Sequence, residues 1–265
     1  MPANGQNQWR ERQIPQMQQL PRPLFARNES LVNAVGTPRH AHAWVQLSYA
    51  IRGVLHVHTA EGNFVAPPQR AIWISAGTEH EVFSSPHTEM RSLYLNEVPS
   101  SSGLRGCRVI EIDILTRELI RRFCELPVEY DEKGSDGRLA QVLLDQLLVA
   151  REVSLSLPLP SDPRLLRLCR GLQEAPDDSR TLLEWSQDLG ASEKTLRRLF
   201  LRETGMTFRA WRQRLRLLGS LEALEQGQRV TQVALACGYD STSAFIAAFR
   251  QHFGVTPGDF FSAVV

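Results

Sequence analysis

The last hundred residues contain one pattern twice. Trp185-Ser186-x-x-Leu189-Gly190 is answered by Val233-Ala234-x-x-Cys237-Gly238, 48 positions later. Beyond the glycine, Ser192, Leu196, Phe200, Gly205 and Thr207 are answered by Ser241, Phe245, Phe249, Gly254 and Thr256, 49 positions later. The second copy therefore has a turn one residue longer. Each copy has the layout of a helix-turn-helix, in which two short helices meet at a tight, glycine-bearing corner.

In the first copy, Thr181 with Glu184 makes a capping box. Gly190 ends the first helix because glycine tolerates the left-handed conformation of a tight turn. Ser192 caps the second helix. There Leu196, Leu199 and Phe200 share the core-facing side, and Lys194, Arg197 and Arg198 share another. In the second copy, Thr231 is the expected cap of a helix carrying Val233, Ala234 and Cys237. After Gly238-Tyr239-Asp240, a longer helix is expected to turn Phe245, Ala248 and Phe249 inward. Thr242, Ser243, Ile246, Ala247 and Arg250 then face outward.

Between the copies, Thr207 caps a helix from Phe208 to about Leu224, a rod of roughly 25 Å at about 1.5 Å per residue. Such a rod suits two recognition helices set in successive major-groove segments about 34 Å apart. From Glu193 to Arg216 there are eight basic residues and two acidic ones, a local net charge of +6 in a chain whose total is only +1. On and beside the rod, Arg209, Arg212, Arg214 and Arg216 are placed to reach phosphate. An isolated pattern of this kind is usually a helical corner. Two copies agreeing in caps, turns and aromatic positions point to double-stranded DNA as the partner.

The rest of the 265 residues is read more coarsely. An apolar fraction of 42% and a charged fraction of 22% are those of a soluble globular protein. No apolar run approaches the roughly 18–20 residues of a membrane helix, and the first residues lack an apolar signal core. Four scattered cysteines without a C-x-x-C pair suit reduced, packed thiols. The expected location is the cytoplasm, with no membrane partner.

Residues 1–23 are polar and proline-punctuated, and are expected to be poorly ordered. From Leu24 to about Ile112 short β-type runs alternate with Gly and Pro, which suggests a sandwich or small barrel. Helical spacing follows over Ile114–Leu126 and Leu139–Val149, separated by Pro127 and Gly134 to Gly137. The expected domains are 24–152, a linker at 153–162 around Leu157-Pro158-Leu159-Pro160, and 163–265, opened by Asp162 as cap and Pro163 at the first helical position. The fold class is α+β in two domains. An N-terminal β-barrel with two following helices precedes an all-α domain holding two helix-turn-helix motifs joined by a linker helix.

At these residues the chain closely resembles the AraC/XylS family of bacterial transcription regulators. The stretch Val233-Ala-Leu-Ala-Cys-Gly-Tyr-Asp-Ser-Thr-Ser-Ala-Phe-Ile-Ala-Ala-Phe-Arg-Gln-His-Phe-Gly-Val-Thr-Pro257 follows the family signature almost throughout. Leu196-Arg-Arg-Leu-Phe-Leu-Arg-Glu-Thr-Gly-Met206 is similar in the first copy. The resemblance covers about Asp162 to Val265 strongly, and more weakly the N-terminal section, which looks like a cupin-type sensory domain. It implies base-reading positions at Lys194, Arg197 and Arg198, and at Thr242, Ser243 and Ala247 in the second copy. Arg202 is a further DNA-binding candidate, and Arg250 a candidate phosphate contact. Where the family usually has a long polar residue this chain has Ala247, so the first copy is expected to supply most sequence information. Arg and Lys pair with guanine O6 and N7, for about 1–3 kcal/mol of discrimination per good pair.

His40 and His42 stand at i, i+2 on a presumed strand, with Trp44 and Gln46 at the same parity, so all four share a face. His80 follows a turn at Ser75-Ala76-Gly77. The set resembles the cupin pattern of two histidines, a carboxylate and a later histidine around a divalent metal, with Gln46 in the carboxylate's place. Three imidazoles suit zinc, nickel, copper or iron. The alternatives are that His40, His42, Trp44, Gln46 and His80 line an effector pocket, or that they are core groups. His56 and His58 read as strand residues.

The resemblance implies a homodimer through the two helices after the barrel, whose apolar faces otherwise pack on their own barrel. It also implies a small-molecule effector, and RNA polymerase as a partner if the protein activates. Two other function classes stand beside this one: a metal-dependent cupin enzyme, and a DNA-binding regulator with no effector. No activated nucleophile or paired carboxylate is placed for catalysis, so the expectation is no enzyme.

Overall fold

Alternation along β4 (Val45–Arg52) organises the N-terminal half. Its first six residues are all buried, because both faces are covered. Val45, Leu47 and Tyr49 join Ala71, Trp73, Leu93 and Leu95 in a core cluster on one face. Gln46, Ser48 and Ala50 take the other, as period two requires. A computed structural model describes residues 10–14, 17, 19–96 and 106–262.

The remaining strands are β1 (Arg10–Glu11), β2 (Leu24–Leu31), β3 (Val35–Gly36), β5 (Leu55–His58), β6 (Gly62–Ala66), β7 (Arg70–Ile74), β8 (Glu81–Ser84), β9 (Thr88–Leu95), β10 (Cys107–Glu111) and β11 (Ser156–Pro158). They form two sheets, ordered β1-β3-β8-β5-β6-β11 and β10-β7-β4-β9-β2. In the second, Gln46 sits opposite Tyr94 of β9 and Ile74 of β7. The helices α1 (Ile114–Phe123) and α2 (Ser135–Val149) lay Ile120, Phe123, Ala140, Leu143 and Leu147 on the outer face of this sheet. Burying each large aliphatic side chain contributes about 1.5–3 kcal/mol. The apolar stripes of α1 and α2 thus pack mainly on their own sheet. Ile114, Leu115, Val142 and Val149 stay exposed.

Several local expectations change. Parts of the 1–23 segment belong to the fold: β1 pairs in parallel with β3, Arg12 forms an ion pair with Glu29, and Leu20 is buried against Trp44 and Tyr94. Ile14, Met17 and Leu20 recur every third residue in the polar text and anchor it. The rest of that segment, 1–9, 15, 16 and 18, lies outside the described residues. Gly137 is not in the inter-helix break but in the first turn of α2, where a Cβ would collide with the Glu132 carbonyl. The 153–162 linker contains β11, with Leu155 and Leu157 buried. The boundary between the two compact units falls in sequence at Ser156/Leu157.

The C-terminal unit is helical: α3 (Pro163–Glu174), α4 (Leu182–Leu189), α5 (Glu193–Thr204), α6 (Phe208–Glu225), α7 (Val230–Ala236), α8 (Thr242–Phe253) and α9 (Pro257–Ser262). Asp162 caps α3, whose first residue is Pro163. Glu203 of α5 accepts from the backbone N–H groups of Ser161 and Asp162, each at 2.9 Å. Trp211 of α6 is fully buried against Phe200, and its indole N–H donates to the Pro158 carbonyl at 2.7 Å. An indole donor buried with its partner keeps the packing gain without an orphan polar group.

Candidate nucleic-acid interface and effector pocket

Both corners are built from the duplicated signals. Thr181 and Glu184 make the reciprocal capping box of α4, Gly190 takes φ 62°, and Ser192 caps α5 through the Thr195 N–H. In the second corner Gly238 takes φ 73° and Ser241 caps α8 through the Ala244 N–H. The helices α5 and α8 are each 12 residues long and each ends on a left-handed glycine, Gly205 and Gly254. The start of α7 departs from expectation. Its cap position is Arg229, with no side-chain cap bond, and Thr231 lies inside the first turn. The 48-residue offset maps Thr181 onto Arg229, so the second copy keeps the position of the cap but lacks a capping side chain. Left-handed Gly227 closes α6, and the first turn of α7 then forms on the Arg229 carbonyl, which accepts from Gln232 and Val233.

On α5 the structure buries Leu196, Leu199 and Phe200 and exposes Lys194, Arg197, Arg198 and Arg202. Spacing of four residues aligns Lys194, Arg198 and Arg202 on one stripe. Arg197 pairs with Glu193 one turn back. Arg202, in the last turn, reaches Glu203 at 3.1 Å. On α8, Ser243, Ala247 and Arg250 are exposed, Thr242 is half-buried, and Phe245, Ala248 and Phe249 are buried. The outer surface of α5 is therefore cationic, whereas that of α8 is short and mostly neutral until Arg250.

Two arginines of the linker helix do different work from the one their sequence suggests. Arg216 donates to three backbone carbonyls: Pro176 at 2.7 Å, Gly238 at 2.9 Å and Asp178 at 3.3 Å. Arg212 donates to the Arg180 carbonyl at 2.7 Å. Both are half-buried, as is Arg214, and Arg209 alone of the four is exposed. Arg216 and Arg212 are turned inward as clamps. Their carbonyl acceptors lie in the segments before α4 and between α7 and α8, which have no periodicity to reveal them.

The second candidate site is a cavity of about 260 Å³ in the N-terminal unit. Its lining includes Gln46 of β4, Val82 of β8, Tyr94 of β9, His40, His42 and Trp44. It thus draws on strands of both sheets. Arg12, Ile14 and Met17 also line it. These were not singled out from sequence, although the three-residue spacing of Ile14, Met17 and Leu20 marks them. The described lining holds no carboxylate, and its one guanidinium, that of Arg12, is ion-paired with Glu29. One lining donor, the buried Trp44 indole N–H, has no partner among the described residues.

His40 and His42 do not lie on a regular strand. His40 forms an isolated two-bond bridge with His80, N–H to carbonyl at 3.0 and 2.9 Å, and His42 follows in irregular chain. The residues nevertheless converge. The His40 and His80 rings are 4.3 Å apart, His42 and His80 5.1 Å, and His42 stacks on Trp44 at 5.3 Å. Each imidazole uses Nδ1 on a backbone carbonyl: His40 on Pro38 at 2.9 Å, His42 on Trp44 at 2.8 Å, His80 on Thr78 at 2.8 Å. A carbonyl only accepts, so Nδ1 carries the proton in all three and Nε2 carries the lone pair. His42 Nε2 lies 2.9 Å from the Gln46 side-chain amide. The amide NH₂ meets that lone pair when the amide oxygen instead accepts from Ser48, whose hydroxyl is 2.9 Å away. Burial holds His80 down at about 4, with His40 and His42 as neighbouring charges, and burial likewise lowers His40. Nε2 of the fully buried His80 has no partner among the described residues, a cost of about 1–3 kcal/mol when left unmet.

Comparison with known proteins covers both units. Residues 185–263 match the helix-turn-helix domain family, and residues 25–149 match the AraC-like ligand binding domain family. The HTH-type transcriptional regulator NimR of Escherichia coli is 34% identical over 223 residues, covering 84% of this chain and 81% of that protein. The HTH-type transcriptional regulator RipA of Corynebacterium diphtheriae is 35% identical over 103 residues, covering 39% of this chain and 31% of that protein. Among solved structures, ToxT from Vibrio cholerae aligns over 89% of this chain and 96% of its own, at 11% identity and a TM-score of 0.38.

Proposed function

This chain belongs to the AraC family of transcription regulators, and we propose that it reads its operator chiefly through α5. It is a DNA-binding regulator with an N-terminal ligand-binding domain. The observation that carries the proposal is the contrast between two helices of equal length and equal capping. The outer face of α5 offers Lys194, Arg197 and Arg198, and that of α8 offers Thr242, Ser243 and Ala247. Long cationic side chains reach guanine edges in the major groove, whereas alanine offers only a methyl contact. Arg202 and Arg250 serve phosphates, which position the protein and carry no sequence information directly.

The cavity beside Arg12, His40, His42, Trp44 and Gln46 is the effector site of this reading, and the guest is a small polar molecule. Binding shifts the balance between arrangements of the DNA-binding units, a coupling of about 1–3 kcal/mol in typical allosteric proteins. The protein works in the cytoplasm, as an activator through RNA polymerase or as a repressor, and not as an enzyme. A cupin enzyme would turn over a substrate with added iron or manganese. A regulator without an effector would show no ligand-dependent rise in thermal stability.

A second copy covers the exposed Ile114, Leu115, Val142 and Val149 of α1 and α2. These side chains remain after the helices have packed on their own sheet. Sedimentation of the full chain should give a dimer that Val142→Glu with Val149→Glu turns into a monomer. The DNA reading is tested by selection from a random duplex library with full-length protein. A recovered motif with a guanine-bearing half is expected; recovery of random sequence would overturn the reading.

A further inference from the structure

We propose that Glu193 is a specificity-determining positioning residue: its carboxylate holds the Arg197 guanidinium for a guanine edge and keeps it off the phosphates. The inference rests on the assignment of base reading to α5, and adds a residue that this assignment leaves out. Glu193 is the first residue of α5, and Arg197 stands one turn on. The two are ion-paired through Glu193 Oε1 and Arg197 Nη2, with 32% of the Glu193 side chain and 69% of the Arg197 side chain exposed. The carboxylate is thus the more sheltered member, and the guanidinium stands out from it. Lys194 and Arg198, exposed on the same helix, have no carboxylate partner among the described residues.

At 3.6 residues per turn, Lys194 and Arg198 are about 40° apart around the helix axis, and both point away from the buried Leu196, Leu199 and Phe200. Arg197 lies about 60° from Lys194, on the side of Glu193. A flanking arginine is the one most free to leave the base edges for the sugar-phosphate backbone, which attracts cations whatever the sequence. The carboxylate opposes that. It repels phosphate and makes the pair neutral as a unit. It also takes up one edge of the five-donor guanidinium fork and leaves the other donors for guanine O6 and N7. An arginine held in this way has less side-chain freedom to lose when it binds.

The internal repeat supplies the comparison. Its 49-residue offset maps Glu193 onto Thr242 and Arg197 onto Ile246, so the carboxylate and the guanidinium are absent together from α8. Helix initiation does not require Glu193, since α8 starts without an acid in its first turn and has the same serine cap and the same length. An exposed ion pair one turn apart also adds little to stability. Where a first-turn carboxylate serves the fold, as Glu184 does in α4, it accepts from the Thr181 backbone N–H and hydroxyl. The Glu193 carboxylate accepts from Arg197 instead.

The test uses full-length protein and the duplex recovered from the random-library selection. Affinities are measured for that duplex, for each of its single-base-pair substitutions and for an unrelated duplex. The base pair that loses its preference in Arg197→Ala is the one under that side chain. There Glu193→Gln should reduce discrimination by about 5-fold or more, while discrimination under Lys194 and Arg198 is kept. Binding to the unrelated duplex should tighten, with a salt slope steeper by up to about 0.9 as Arg197 turns to phosphate. In the Arg197→Ala background, Glu193→Gln should change no base preference, which separates positioning of Arg197 from a general effect of charge or helix start. Unchanged discrimination in Glu193→Gln, an equal loss at all base pairs, or a loss that persists without Arg197 would overturn the role of Glu193 and leave α5 as the reader. An Arg197→Ala variant that loses no base preference would also overturn it. If Lys194→Ala and Arg198→Ala lose none either, the reading of α5 falls as well.

Discussion

The Arg216 guanidinium donates to the carbonyl of Gly238 at 2.9 Å, and the same side chain holds the Pro176 and Asp178 carbonyls. One cation on the linker helix thereby fastens the approach to the first corner and the turn of the second. Gly238 cannot easily be replaced: its φ is 73°, and a Cβ would lie 3.0 Å from the Arg216 guanidinium and 2.9 Å from the Asp177 backbone. Arg216→Met keeps much of the aliphatic stem and removes the donors, and should lower stability by about 1.5–3 kcal/mol. Thermal melts of the full chain measure this. Because Arg216 faces carbonyls, the salt dependence of DNA binding should keep its slope in the variant, whereas loss of a phosphate contact would reduce it by about 0.9.

The two corners differ in how their first helices start. Thr181→Ala removes the capping box of α4 and should cost about 0.5–2 kcal/mol. Thr231→Ala removes a side chain that caps nothing, since α7 starts on Arg229, and should be nearly silent in the same melt. Equal losses in the two variants would contradict the placement of α7.

Outward residues of the recognition helices separate into base and phosphate contacts. Lys194→Ala and Arg198→Ala should each cost about 1–3 kcal/mol at particular base positions and relax specificity there. Arg250→Ala should weaken all sequences alike and lower the salt slope by about 0.9. Binding isotherms at several salt concentrations, on matched and mismatched duplexes, distinguish the outcomes.

A pH dependence follows from the N-terminal unit. Burial holds the His58 imidazole, packed 4.9 Å from the Phe83 ring, down at about 4, with His56 and Arg39 adding like charge. The folded value lies below the unfolded value of about 6.5, so between these limits the unfolded chain binds the extra proton. The contribution is fully present above about pH 6.5 and is lost as pH falls toward 4. The melting temperature should therefore drop across that window, and His58→Phe should shallow the drop without abolishing it, because His80 is held down to a similar value. A variant with the wild-type slope would contradict the assignment.

Much of the C-terminal unit was legible because its signals are local and occur twice. Thr181, Gly190, Ser192, Gly205 and Ser241 each act on the chain within a few residues of themselves, and each stands where its capping or turn chemistry requires. What sequence could not show depends on distant partners. Arg212 and Arg216 look like phosphate contacts until the carbonyls that they meet are known. Of the pocket, the shared parity of His40, His42 and Gln46 pointed to one face, and these residues do converge, though through irregular chain and a two-residue bridge to His80. Arg12, Ile14 and Met17 stayed hidden in a polar segment whose anchoring needs the cavity they line.

The most direct measurement is a base-substitution scan of the selected operator with full-length protein at fixed salt. Substitutions under the helix that carries Lys194, Arg197 and Arg198 should each cost about 1–3 kcal/mol, and those under Thr242, Ser243 and Ala247 should cost clearly less. Equal penalties in both halves, or larger ones under α8, would contradict the assignment of sequence reading to α5.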